Sequence, residues 1–297
     1  MHVLRWNNGK PGNKKTHKAY VWTYCTTSYD DFRAVVFDFA EGRGGQYVRD
    51  FLALDAAGHQ GWRGKLVCDD FSGYKASFEL GVTEAGCLAH SRRKFHELWA
   101  NHGSQIGEQA LKFFKTLYDV EREVQDLQPD DRLRIRREKA NPVAQALHQW
   151  LVQQRRLVPN GSATAKAIDY SLKRWQALTR YIDDGDLPAD NNRVENQIRP
   201  IAIGRSNWLF AGSLRAGQRA AAVMSLLHSA KLNGLDPYAY LKDVLTRLPT
   251  QSAAQIEELL PHRWLQRHVV AGASARGLMP ARFLSGCRRS RPARSES

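Results

Sequence analysis

Asp69 and Asp70 close an apolar run, Lys65-Leu66-Val67-Cys68. Glu195 lies much further along, in a segment that opens Asp190-Asn191-Asn192. Carboxylates gathered from separate elements suit divalent cations, because hard ions take oxygen ligands. A pair of such ions can clamp the attacking and leaving oxygens of a phosphoryl transfer. Donors suited to phosphate surround Glu195: Asn191, Asn192, Arg199 and Arg205. Asn191, Glu195 and Arg199 recur every four residues, so a helix would gather them on one face. An ordinary solvated Glu–Arg pair has the same spacing and remains the competing reading.

His90-Ser91-Arg92-Arg93-Lys94-Phe95 is a compact basic cluster. Arg92, Arg93 and Lys94 can contact a phosphate backbone, or they can form a solvated helix start. Cys87 and His90 make half of a zinc-ligand pattern. No second half stands nearby, so a buried thiol and a polar imidazole are the plainer reading. Arg205-Ser206-Asn207-Trp208-Leu209-Phe210 mixes donors with aromatics. Trp208 can stack on a base or pack in a core.

The composition bounds these chemistries. The chain has 297 residues, 42% apolar and 25% charged. That excludes wholesale disorder, collagen and a disulfide miniprotein, and allows one large domain or two small ones. No apolar run approaches the ~18 residues that span a bilayer, and the first residues lack the apolar core of a signal peptide. No membrane partner and a cytoplasmic, nucleoid-associated location are therefore expected. The net charge of +14 favours a polyanionic partner such as DNA. Part of that excess sits in residues 265–297, which hold seven Arg and one Glu. Four widely spaced cysteines suit a reduced compartment.

The elements that would position these residues change along the chain. Residues 18–25 and 33–40 are rich in β-branched and aromatic types and predict two strands, with a hairpin link between them. A short helix follows Gly44-Gly45, then the acid-tipped strand 65–69. Chemistry at a strand end of a mixed α/β sheet is the expectation. From about residue 90 to 184 no strand pattern occurs. Ile106, Ala110, Phe113, Leu117, Val120, Val124 and Leu127 form a helical stripe. Asn141-Pro142 predicts a second helix start, and Ser162 caps a third that stops at Gly185. A short helix at 190–200, ended or kinked by Pro200, precedes helices at 220–232 and 238–248. The tail from 265 has no periodicity and reads as disordered; its abrupt Arg bias also suits out-of-frame translation.

Five segments then carry a resemblance in their order. They are Cys68-Asp69-Asp70-Phe71-Ser72-Gly73-Tyr74, Cys87 through Phe95, Asp190 through Pro200, Gly204 through Ser213, and Ala230 through Pro237. Together they resemble transposases of the insertion-sequence-66 type, from about residue 11 to 264. The resemblance implies a DDE transposase with an RNase H-like mixed sheet, interrupted by an all-α insertion and followed by C-terminal helices. It implies core at 1–89 and 186–264, insertion at 90–185 and a basic tail at 265–297. It makes Asp69 the second and Glu195 the third catalytic and metal-binding acid, with Mg²⁺ or Mn²⁺ in a two-metal site. DNA contacts are expected from Arg92, Arg93, Lys94, Asn191, Asn192, Arg199, Arg205, Asn207 and Trp208. Insertion-sequence ends and target DNA are the implied substrates, with homo-oligomers or partner transposition proteins.

One departure stands out. The family places its first acid in an Asp-Glu-Thr-Pro stretch before the segment matching residues 12–20, where this chain has Met1-His2-Val3-Leu4. Asp30, Asp31 and Asp38 come later and are poor substitutes. The expectation is a truncated copy lacking its first strand, impaired in strand transfer. The competing expectation is a non-catalytic remnant that binds DNA or modulates an intact transposase.

Overall fold

The computed structural model describes residues 6–9, 16–54, 61–204 and 211–264. Its strands form two separate small sheets. β1 (Trp6–Gly9), β2 (Thr16–Cys25) and β3 (Val35–Ala40) make an antiparallel sheet in that order. β4 (Lys65–Cys68) and β5 (Thr83–Gly86) make a parallel pair. Among the described residues no ladder joins the two sheets.

β2 is covered on both faces, which explains its dense aromatic and β-branched content. Ala19 and Val21 pack with Val35, Phe37, Phe39, Ile198, Ile201 and Ala221. Trp22 points the other way, into a cluster with Val48, Leu52, Cys68 and Tyr74. Burial on alternate sides follows from the two-residue period of a strand. α1 (Gly45–Phe51) and α2 (Lys75–Glu79) sit on this second face. The first face is held by α9 (Asn192–Ile203) and α10 (Leu214–Leu232). α10 packs very closely on β3: a Cβ added at Gly217 would sit 2.4 Å from the Phe39 ring. α11 (Pro237–Arg247) closes the chain end, its cap Asp236 accepting the Ala239 N–H at 2.7 Å.

Between the sheets' last strand and α9 the chain is helical. It runs through α3 (Leu88–His102), α4 (Gln105–Val124), α5 (Pro129–Ile135), a π turn at Arg136–Ala140, α6 (Asn141–Leu157), α7 (Ala163–Lys173) and α8 (Trp175–Thr179). The stripe on α4 is buried at Ala110, Phe114, Leu117, Val120 and Val124. Phe113 packs beside it, against Trp150.

Several boundaries differ from the sequence expectation. Asn141 does not start a helix; it continues the run from Pro129 through the π turn. The helix capped by Ser162 breaks at Arg174, whose guanidinium reaches out to Glu84 and Asp70. Pro200 does not end α9, which runs on to Ile203. α10 begins six residues before the predicted Ala220, at the Ser213 cap, because its first turns are mostly polar.

Candidate active site

β4 delivers Asp69 to the loop just past its last residue. There Asp69 Oδ1 accepts the Phe71 N–H at 3.2 Å, an Asx-type turn that fixes the carboxylate. Asp70 turns away: Arg174 Nε lies 3.5 Å from its carboxylate. Arg174 also donates to Glu84 Oε1 at 2.5 Å and to the Asp69 carbonyl at 3.2 Å. Arg174 thus ties the loop after β4 to β5 and to the break between α7 and α8.

Glu195 lies in the first turn of α9. The chain enters this helix along a path fixed by two buried arginines. Arg136 binds Glu121 through Nε at 2.8 Å and Nη2 at 2.6 Å. Its Nη1 donates to the carbonyls of Tyr181, Asp184 and Leu187 at 3.0, 2.7 and 2.9 Å. Arg132 donates to the carbonyls of Val124, Leu127 and Gly185. A buried guanidinium is costly unless its donors are paired, so these carbonyls and Arg136 hold each other in place. Beyond the clamp, Leu88 N–H bonds the Ala189 carbonyl at 2.9 Å, and Asn191 N–H meets Cys87 Sγ at 3.4 Å. The start of α3 is thereby tied to the start of α9.

This junction brings three motif segments together. His90, on the first turn of α3, feels both Asp69 and Glu195, and so does the buried Tyr74 phenol. Burial lowers the His90 pKa, helped by Arg93, while the two carboxylates oppose the shift. The imidazole is held below its ordinary range, and its Nδ1 is buried with no partner among the described residues. Burial raises Tyr74 far above the usual phenol range, with Asp69 the next cause. Tyr74 and Arg174 carried no role in the sequence reading, and His90 entered it through the basic cluster and the Cys87–His90 half-pattern. Burial of a phenol or imidazole beside two acids leaves no local sequence signal.

The donor set tests the fit of a divalent cation. Asp69 spends one oxygen on a backbone N–H. Two carboxylates plus water and phosphate oxygens suit Mg²⁺, which rarely sits in an all-protein cage. Among the described residues, no group of three or more His, Cys, Asp or Glu side chains is placed to hold a metal. Asp38 is half-buried and has its own neighbours: burial, then Asp50, raises its pKa.

The remaining candidates take varied positions. Arg92 and Arg93 are exposed on α3, and Lys94 lies 4.4 Å from the Tyr170 ring centre. Arg199 and Asn192 are exposed; Asn192 bonds Asp190 through both its N–H at 3.0 Å and its amide at 2.8 Å. Asn191 is only 4% exposed. Arg205, Asn207 and Trp208 lie outside the described residues. The Cys87–His90 half-pattern finds no metal cluster among the described residues; burial pushes the Cys87 thiol up to about 11.

Comparison with known proteins identifies the family. A family model described as "Transposase IS66 family" matches residues 3–219, and one described as "IS66 C-terminal element" matches residues 225–262. The chain belongs to the IS66 transposase family. Two relatives are the uncharacterised proteins y4hP and y4qI of Sinorhizobium fredii (strain NBRC 101917 / NGR234). The first is 34% identical over 78% of this chain and 44% of its own length. The second is 36% identical over 84% of this chain and 48% of its own length. The chain thus spans about half the length of these relatives. No solved structure matches it. No helix among the described residues is long and apolar enough to cross a membrane.

Proposed function

We propose that this chain carries the acid pair of a DDE-type transposase, Asp69 and Glu195, on an RNase H-like core. The core comprises 1–89 and 186–264 around a helical insertion at 90–185. The observations that support this reading are that Asp69 and Glu195, from elements far apart in sequence, both act electrostatically on His90 and Tyr74, and that backbone bonds tie the start of α3 to the start of α9. In this reading the two acids hold Mg²⁺ or Mn²⁺, which stabilises charge on the phosphoryl group being transferred. The chain's own residues fix the geometry around that ion. The Phe71 N–H orients Asp69, and the Arg136 and Arg132 clamps set the entry of α9 and hence Glu195. Arg92, Arg93 and Arg199 supply exposed positive charge for the DNA backbone.

Two carboxylates are fewer than a two-metal site needs, so we propose that strand transfer by this chain alone is weak. A DNA-nicking and strand-transfer assay with Mg²⁺ or Mn²⁺ tests this. The chain is compared with a version preceded by a strand carrying Asp-Glu-Thr-Pro. Activity should appear in the extended version and vanish in its Glu195→Gln variant. Activity of the shorter chain that Glu195→Gln abolishes contradicts the weak-alone proposal. Activity of neither supports the remnant that modulates another transposase. DNA binding is read separately: neutralising Arg92, Arg93 and Lys94 should reduce the salt slope by about 2–3, near 0.9 per phosphate contact. Deleting 265–297 is the control for the basic tail.

A further inference from the structure

Asp190 stands at the entry to α9, and both of its carboxylate oxygens are engaged. Oδ1 accepts the Asn192 N–H at 3.0 Å. Oδ2 accepts the Asn192 side-chain amide and the Tyr118 hydroxyl, each at 2.8 Å. Asn191 occupies the cap position of α9 but makes no cap bond through its side chain. Asp190 takes over that task. It satisfies the N–H of the first helical residue, and the helix dipole favours a carboxylate there.

Tyr118 brings the helical region to this cap. It lies on α4, packed against the apolar core of the helices. Burial, followed by Asp190, raises its pKa, so the phenol keeps the proton that it donates. Also on α4, Glu121 pairs with Arg136, whose guanidinium holds the carbonyls of Tyr181, Asp184 and Leu187. α4 thus grips the chain leading to Glu195 twice: through Arg136 as far as Leu187, and through Tyr118 at Asp190. The main chain beside Asp190 is tied to α3, through Ala189 and Asn191. From there to Glu195 is a single helical turn, the Glu195 N–H bonding the Asn191 carbonyl at 3.2 Å.

We propose that Tyr118 and Asp190 are positioning residues for Glu195. The Tyr118 hydroxyl locks the Asp190 carboxylate, that carboxylate fixes the first turn of α9, and the turn aims Glu195. With both oxygens engaged, Asp190 holds the helix and leaves the ion to Glu195. The helical region therefore sets the aim of an acid that lies outside it. This inference rests on the reading of Glu195 as a metal ligand. Residues that orient a ligand without touching the ion control metal affinity by about ten- to a hundredfold.

Mn²⁺ affinity and urea unfolding of the full chain, measured on the same variants, test it. Tyr118→Phe removes one oxygen and leaves every charge in place, so a change in Mn²⁺ affinity reports geometry. It should weaken Mn²⁺ binding about tenfold or more. Tyr240→Phe is the matched control: it deletes another buried phenol bond, to the Leu259 carbonyl at 2.6 Å, in the C-terminal helices. It should lower the unfolding midpoint about as much and leave Mn²⁺ binding unchanged. Asp190→Asn also loses a charge and should weaken binding, and in its background Tyr118→Phe should have little further effect. Three results overturn the positioning role while Glu195→Gln still weakens binding. They are Mn²⁺ affinity unchanged in Tyr118→Phe, equal weakening by Tyr118→Phe and Tyr240→Phe, and a Tyr118→Phe loss undiminished beside Asp190→Asn. Mn²⁺ binding that is absent from the unaltered chain, or that Glu195→Gln leaves intact, overturns the metal reading and this inference with it.

Discussion

The two edges of the β2–β3 sheet are treated in opposite ways. On the outer edge, α10 lies along β3 and supplies hydroxyls to its bare backbone. Ser229 Oγ accepts the Val35 N–H and donates to the Val35 carbonyl, both at 3.0 Å. Ser225 Oγ accepts the Phe37 N–H at 2.8 Å. Asn233 reaches the Arg33 carbonyl at 2.7 Å. An exposed strand edge invites pairing with other chains, and a covering helix is one remedy. On the inner edge, Thr23 and Cys25 line a cavity that reaches Cys68 and Val194, the chain neighbours of Asp69 and Glu195. The outer edge is sealed by side-chain hydroxyls, and the inner edge beyond Ala19 carries no ladder among the described residues.

Substitutions that break the sealed edge should have the largest effects. Gly217→Val places atoms against the Phe39 ring, which is 2% exposed and has nowhere to go. Overpacking of this kind should destabilise the chain by about 3 kcal/mol in urea unfolding. A loss below about 1 kcal/mol would mean that α10 is loosely seated. Ser229→Ala removes the hydroxyl without adding bulk, strips Val35 of its partner, and should cost about 2 kcal/mol. The matched change on the open edge, Thr23→Val, removes a hydroxyl that has no partner among the described residues. It should be neutral within about 0.5 kcal/mol, or stabilising. Equal losses at Ser229 and Thr23 would erase the distinction between the edges.

The smallest effect should appear with pH. His228 on α10 meets the Phe37 ring edge-on at 5.0 Å, and burial followed by Lys231 lowers its pKa. Below about 6.5 the unfolded chain takes up a proton that the folded chain resists. Stability should therefore fall as pH drops through that value, and His228→Gln should flatten the slope. A steeper slope in the variant would contradict the assignment.

What was legible in the sequence was what local chemistry dictates. β2, β3 and β4 declared themselves through β-branched and aromatic content. Ser162 and Asp236 declared helix starts, and their side chains do cap them. β5, Thr83–Gly86, did not, because a short strand without apolar alternation depends on its partner β4 and on close approach to α8. A Cβ on Gly86 would meet the Leu178 backbone nitrogen at 3.0 Å. The break at Arg174 was equally hidden, since its guanidinium partners, Glu84 and Asp70, are remote in sequence. That Asp69 and Glu195 both act electrostatically on His90 and Tyr74 accords with the motif order. The arginine clamp at the entry of α9 was not legible, because a buried Arg has the same sequence signature as an exposed one. The single mixed sheet expected from the resemblance is, among the described residues, two sheets separated by a slot.

The central claim is that Asp69 and Glu195 act on one divalent ion together. Mn²⁺ binding to the full chain, followed by electron paramagnetic resonance, tests it most directly. Asp69→Asn and Glu195→Gln should each remove most of the binding, and the double variant should bind no more weakly than either single one. Losses that add independently, or Mn²⁺ binding unchanged in either variant, would contradict the shared site.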